Sequence, residues 1–479
     1  MDRYKPDKTL NIKAIALRAQ PYLHLFVQAV LGREKKFTSG SINRSIVLLA
    51  VPMVLELVME SLFVCASLFF VSKLGANAVS IVGATESVIT FSYSVSIGLS
   101  IAASAVISRR VGEQKFKEAG LTAMQVIYLA MGLALVISLL GFIWSGEILG
   151  LIGLSSDMVT EGLVYARVMF ACTGFIILRI AINGIFRGAG SASTAMRTLW
   201  LSNALNILLC PVLIFGWGPV PALGLLGVGL ATGIARMVGV CYQGWYLAKG
   251  KTVMHISKAQ LAFHYGIFKK VSRLAFGGTV QYIIPASSWL FMIKIISYFG
   301  GNALAGYIIA QRVASIATMP AWGIGNAAGI LTGQNLGANQ ADRAERSVWK
   351  AGVMNMGFLV VVAICWIFLA GPVVRIFSDV PEIIGHSTTY IHFISIAYVL
   401  LGYTMVISRA LNAAGEVIVV TLLYILMFYV TQLPLSYVLG IAFDLGVNGV
   451  FAGILISEIV LAVACILVFR RGKWKHTKV

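Results

Sequence analysis

Twelve long, mainly apolar stretches recur along the 479-residue chain, and a helix needs about 20 such residues to cross a bilayer. They cover 46–72, 79–107, 121–144, 161–186, 194–216, 224–248, 271–298, 304–330, 348–370, 386–408, 417–440 and 446–469. Hydrocarbon cannot hydrogen-bond a backbone, so each stretch is expected to be helical. With 59% hydrophobic and 11% charged residues, against roughly 25% charged in a soluble domain, the chain cannot cover a globular surface with polar groups. A soluble enzyme is excluded, and the fold class is all-α membrane protein with twelve transmembrane helices.

The net charge of +19 raises nucleic acid as a partner, but the placement of the cations answers otherwise. With the N-terminus in the cytoplasm, the basic residues fall at 1–44, 109–120, 187–197, 249–273, 331–350, 409–416 and 470–479, thirty in all, whereas the outer loops hold only Lys73 and Arg375. This is the asymmetry of a multi-pass protein of the cytoplasmic membrane with both termini inside, and no nucleic-acid partner is expected. Residues 1–44 have only short apolar stretches broken by Arg18, Gln20 and Pro21, unlike a secretory signal; they read as a cytoplasmic, interfacial amphipathic segment.

The chain also repeats itself at an offset of 225. Ser72-Lys-Leu-Gly75-Ala-Asn77-Ala78 matches Ser297-Tyr-Phe-Gly300-Gly-Asn302-Ala303, Gly112 matches Gly337, and Gly188-Ala189-Gly190 matches Ala413-Ala414-Gly415. Near the end the offset drifts to 222, where Gly227-Val228 meets Gly449-Val450. Six helices written twice enter the membrane in the same direction, a parallel-repeat plan used by secondary transporters with a site where the halves meet. The expected domains are an N-terminal segment 1–44, an N-lobe 45–248, a cytoplasmic linker 249–270, a C-lobe 271–470 and a basic tail 471–479.

Motifs for chemistry are missing. Gly250-Lys251-Thr252 lacks the upstream glycine of a phosphate-binding loop, so ATP is not expected. Hydrolase and metal-ligand spacings are absent, and the six cysteines, Cys65, Cys172, Cys210, Cys241, Cys365 and Cys465, lie in apolar runs without a CxxC pair. No cofactor, metal or catalytic residue is expected.

Ionisable groups inside a bilayer are functional candidates by default. At 100° per residue, Glu56, Glu60 and Ser67 lie on one face of helix 1. The two acids either pair with an intramembrane base such as Arg179 or Arg312 to hold helices together, or one of them titrates and is loaded by a cation gradient. Glu86, near the start of helix 2, reads more as a helix-end contact, and Glu458 stands alone in helix 12. Asn183, Asn203 and Asn206 could bond substrate or join helices; Gln281 and Lys294 in helix 7 and Gln311-Arg312 in helix 8 are further cavity candidates. Pro52, Pro211, Pro285, Pro320 and Pro434 interrupt helices 1, 5, 7, 8 and 11.

From about Ser41 to Arg471 the sequence resembles the multidrug and toxic compound extrusion (MATE) transporters. The resemblance is carried by Ala50-Val-Pro52, Val71-Ser-Lys-Leu-Gly75, Arg109-Arg-Val-Gly112-Glu113, Thr332-Gly-Gln334-Asn335-Leu-Gly337-Ala338, and the Phe186-Arg-Gly-Ala-Gly190 and Leu411-Asn-Ala-Ala-Gly415 turns. It implies two six-helix lobes around a central cavity, exporting bulky, often cationic, organic compounds in exchange for H⁺ or Na⁺. In one branch the N-lobe cation site combines an Asp in helix 1, an Asn ending helix 4 and an Asn-x-x-x-Asp in helix 5. Here the asparagines are Asn183 and Asn206, while Ser67 and Cys210 stand where the acids would be. Another branch uses acids in helices 7 and 10, and 271–298 and 386–408 contain none. That leaves Glu60 and Glu56, with Glu86 behind them, as the coupling candidates. A flippase for lipid-linked sugars, with more cations facing its cavity, and a non-transporting scaffold are the competing readings.

Overall fold

The computed structural model describes residues 20–21, 23–32, 37–250, 252–254 and 256–477. Among them twelve long helices carry the fold: α1 Ile42–Ser72, α2 Ala76–Gly112, α3 Phe116–Ile143, α4 Ser156–Gly188, α5 Ala192–Phe215, α6 Leu225–Ala248, α7 Tyr265–Ser297, α8 Gly301–Gly337, α9 Ala341–Val374, α10 Pro381–Ala413, α11 Val417–Ala442 and α12 Gly446–Arg470. Eleven are long and apolar enough to cross a membrane by composition, and α8 is not among them. The polar side chains of Gln311, Ser315, Thr318 and Asn326 account for that, because they face an internal cavity and not lipid.

The duplication is visible in the backbone. Left-handed turns recur 225 residues apart, at Gly75 and Gly300 (φ 103° and 102°), Gln114 and Asn339 (59° and 58°), and Gly190 and Gly415 (77° and 95°). Such turns cost little only in glycine and a few polar residues, so they fix where each helix ends. The drift comes from two places, which together move the helix starts from 225 apart at α5 and α11 to 221 apart at α6 and α12, one short of the 222 read from the sequence. The connection after α5 spans 216–224, whereas the one after α11 spans only 443–445, and α11 has 26 residues against 24 in α5. Two π-helical stretches, Leu426–Gln432 and Val438–Ala442, flank Pro434 in α11; proline supplies no N–H, and the ladder re-registers around it.

Helices α1–α6 pack as one lobe and α7–α12 as the other, joined mainly where α2 meets α7 and where α8 meets both α1 and α2. The approach is closest at the C-terminal ends of α2 and α8. A Cβ on Gly112 would stand 2.0 Å from the Gln334 carbonyl oxygen, one on Gly337 2.1 Å from that of Arg109, and one on Gly333 1.9 Å from Ser108 Oγ. Gln334 Nε2 donates to the Gly188 carbonyl across the same seam at 3.2 Å. At the opposite end Gly75 and Gly300 have nothing within 4 Å. The lobes meet most closely at the end marked by Gly112 and Gly337.

Ahead of α1, a helix over 23–31 exposes Leu23, Phe26, Val27 and Leu31, and Arg197 Nη2 donates to its Leu31 carbonyl at 2.9 Å. An apolar exposed face is what an interfacial helix presents; residues 1–19 of the expected segment lie outside the described residues. The six cysteines carry no disulfide.

Candidate functional site

Between the lobes lies a cavity of about 830 Å³, within the range of sites for organic molecules. On the N-lobe side, α1 presents Glu56 and Glu60, and α4 presents Arg179, Asn183 and Arg187 at intervals of four residues, one face of a helix. Glu56 is buried. Its Oε1 accepts from Arg187 Nη2 at 2.5 Å and from Asn183 Nδ2 at 3.0 Å. Glu60, 30% exposed along its side chain, stands 3.8 Å from Arg179 Nη2, and Asn203 Nδ2 donates to it at 3.5 Å. Arg179 is buried, with Nε and Nη1 unpartnered.

The repeat separates these two acids. Adding 225 to Glu56 and Arg187 gives Gln281 and Asn412, which join by two hydrogen bonds of 3.0 Å, with Gln281 also donating to the Val417 carbonyl at 2.9 Å. The same tie between the first and fourth helices of a lobe is ionic in one half and neutral in the other. Glu60 and Arg179 correspond to Pro285 and Thr404, so their contact exists in the N-lobe alone.

On the C-lobe side, Tyr390 donates to Gln311 Oε1 at 3.0 Å and Tyr398 to the Ala314 carbonyl at 3.2 Å. Glu458 also lines this wall, and its buried Oε2 has no partner among the described residues. By the late offset of 222 its counterpart is Arg236, so the duplicated position has opposite charge in the two lobes. Arg409 lines the same side, with Trp322 and Tyr282 against its guanidinium.

The sequence candidates therefore divide. Glu56, Glu60, Asn183 and Gln311 line the central cavity. Asn203 and Asn206 line a recess of about 10 Å³ behind Glu60, room for about one water, where Asn206 Nδ2 donates to Thr232 Oγ1 at 3.1 Å. The remaining candidates lie elsewhere. Ser67 lies outside both cavities, on a part of α1 where Val64, Leu68 and Phe69 are exposed and apolar. Cys210 is a fully buried core residue beside Ile176 and Ile214. Gln281 is buried behind the wall in its bond to Asn412, while Lys294 and Arg312 are exposed away from the cavity. Arg312 is not the partner of either helix 1 acid; Arg187 and Arg179 are. Glu86 is exposed and outside the cavity.

Arg187 and Arg409 also correct the charge reading. Both count as loop cations by sequence, yet they sit within α4 and α10 and line the cavity. The apolar runs end before them, but the glycine turn that ends each helix follows them at Gly190 and Gly415, and that turn is the signal that places them inside. Glu458, the lone acid of helix 12, is likewise brought to the cavity only by packing.

The MatE family pattern matches residues 52–212 and again 279–438, two copies whose starts and ends lie 227 and 226 residues apart, in step with the duplication. The chain belongs to the MatE family of efflux transporters, which are not enzymes. It is similar to the probable multidrug resistance protein YoeA of Bacillus subtilis, 27% identical over 88% of this chain and 91% of that one. The probable multidrug resistance protein NorM of Thermotoga maritima is 25% identical over 91% and 94%. Among solved structures, a MOP superfamily transporter from Pyrococcus furiosus superposes with a TM-score of 0.85 at 24% identity, over 92% of this chain and 97% of that one. The protein is a multi-pass membrane transporter of twelve helices in two lobes.

Proposed function

We propose that this transporter exports bulky organic compounds, cationic ones among them, in exchange for H⁺, with Glu60 as the coupling carboxylate. The observation that carries this is the contrast on α1. Glu56 belongs to a tie that both lobes possess, whereas Glu60 faces the cavity, reaches its arginine at 3.8 Å and has no C-lobe counterpart. A proton on Glu60 removes the charge that Arg179 faces, and its loss restores the pair, so proton loading alters the contact between α1 and α4.

The recess behind Glu60 has the oxygen donors of Asn203, Asn206 and Thr232, but Arg179 and Arg236 line it too. Two guanidiniums disfavour Na⁺ there, which supports H⁺. Glu458, with Tyr390 and Tyr398 on the facing wall, offers a positively charged substrate a carboxylate and aromatic faces. The names of the relatives, which speak of multidrug resistance, agree with a cavity that takes varied small molecules.

In this reading the lobes 45–248 and 271–470 rock about the 249–270 linker as units. The closed end carries the cytoplasmic cations of the charge asymmetry, so the cavity opens outward from the cytoplasmic membrane. The test is purified protein in liposomes, with ethidium movement followed under an imposed pH gradient and, separately, an imposed Na⁺ gradient. Export driven by the pH gradient alone is expected. Movement driven by Na⁺ at equal pH overturns the proton assignment, and no movement under either gradient overturns the export reading.

A further inference from the structure

Three arginines line the cavity, and two face acids: Arg187 pairs with Glu56 and Arg179 with Glu60. Arg409 does not. It has no acidic partner among the described residues. Its guanidinium lies 4.9 Å from the Trp322 ring centre and 5.7 Å from that of Tyr282, and it donates to the Tyr282 hydroxyl. Asn326, one turn along α8 from Trp322, lines the same wall. The 225-residue counterpart of Arg409 is Gly184, so the duplicated scaffold does not need a guanidinium here. A permanent cation placed at the wall of a membrane cavity without an anion is costly to maintain, and the aromatic rings offset only part of that cost.

We infer that Arg409, clamped by Trp322 and Tyr282, is a subsite for the carboxylate of an aromatic substrate. The rings hold the guanidinium at the cavity wall, and the N–H groups not engaged by Tyr282 suit the two oxygens of a planar acid in a bidentate pair. The aromatic body of the same compound finds Trp322 and Tyr282 as stacking surfaces.

The second pole is Glu458. Ser408 meets Cys465 at 3.9 Å, and the Tyr390 and Phe451 rings lie 5.1 Å apart, which sets the register of α10 against α12. Glu458 is therefore level with residues 397–401, eight to twelve residues from Arg409, or about 12–18 Å at 1.5 Å per residue. Arg409 and the unpartnered Glu458 carboxyl are too far apart to pair with each other, and a multi-ring compound with an acid at one end and an amine at the other spans them. The C-lobe wall thus favours amphoteric substrates while still admitting purely cationic ones. This rests on the proposed reading of the cavity as the substrate site.

Rhodamine 110 and its methyl ester, rhodamine 123, isolate the carboxylate, because the dyes differ only in whether it is free. Binding of each to the purified full-length protein, by fluorescence anisotropy in detergent, gives an acid-to-ester affinity ratio. A charge-assisted pair is expected to favour the acid by roughly 10-fold or more. In Arg409→Gln the ratio should fall to about one, and in Arg409→Lys, which keeps the charge but not the fork, to an intermediate value. The ratio within one variant is not moved by a general loss of binding, and an unchanged elution profile and unfolding temperature certify that each variant is folded. Equal affinity of the parent for both dyes, or the same acid preference in Arg409→Gln as in the parent, overturns the subsite alone. Failure of the folded parent to bind either dye overturns it together with the export reading.

Discussion

Glu56 and Glu60 are one helical turn apart, yet they are held differently. Glu56 lies in a buried bond to Arg187 and Asn183 that the C-lobe copies with Gln281 and Asn412. Removing one partner leaves the half-buried Arg187 without its counter-charge, so Glu56→Gln should lower stability by about 1–3 kcal/mol, read as a fall in unfolding temperature. The double change Glu56→Gln with Arg187→Asn reproduces the neutral tie of the other lobe and should recover most of that loss. Glu60→Gln removes only the titratable proton; gradient-driven export should be lost while dye binding and unfolding temperature persist. Normal export by Glu60→Gln under a pH gradient would return Glu60 to a purely structural role. The stripe of the two acids was legible in the sequence because 100° spacing is a local property. Of their partners, Arg179 was among the bases the sequence offered, but Arg187 was not: it follows an apolar run and resembles a loop cation until the turn at Gly190 extends the helix past it.

At the scale of elements, helix identity was legible throughout, and one element escaped the hydropathy rule for a physical reason. α8 spends its faces on the cavity and on the seam, so its composition is that of an interior helix. The seam depends on residues without side chains. A valine at Gly112 must displace the Gln334 backbone, which costs about 1–3 kcal/mol in a packed site and should weigh against the closed end. Spin labels at Lys117 and Gln340, exposed on the two sides of that end, should report longer distances in Gly112→Val than in the parent. Unchanged distances would mean that the seam does not set the closed state. Gly112 and Gly337 were visible as a repeated pair in the sequence, but their apposition was not, because it belongs to the contact between lobes.

For the whole molecule, the charge asymmetry makes a direct prediction. In a cysteine-free background, Ser156→Cys should react with an impermeant thiol reagent in intact cells and Lys258→Cys should not, both positions being exposed in the fold; the reverse pattern inverts the orientation. One further property follows from where the ion pairs lie. Among the described residues, each joins groups of a single lobe: Glu113 and Glu118 with their neighbours on α2 and α3, Glu56 and Glu60 with α4, and Lys475 with α9. None bridges the seam, where glycine backbone meets glycine backbone. Dissolved ions weaken attraction between charges, and across this boundary they find no close ion pair to weaken, only the longer-range fields that Glu113, Arg109 and Arg110 exert on Lys270. The rocking motion thereby breaks no close ion pair at its seam, and screening by dissolved salt falls mainly on the ties within each lobe.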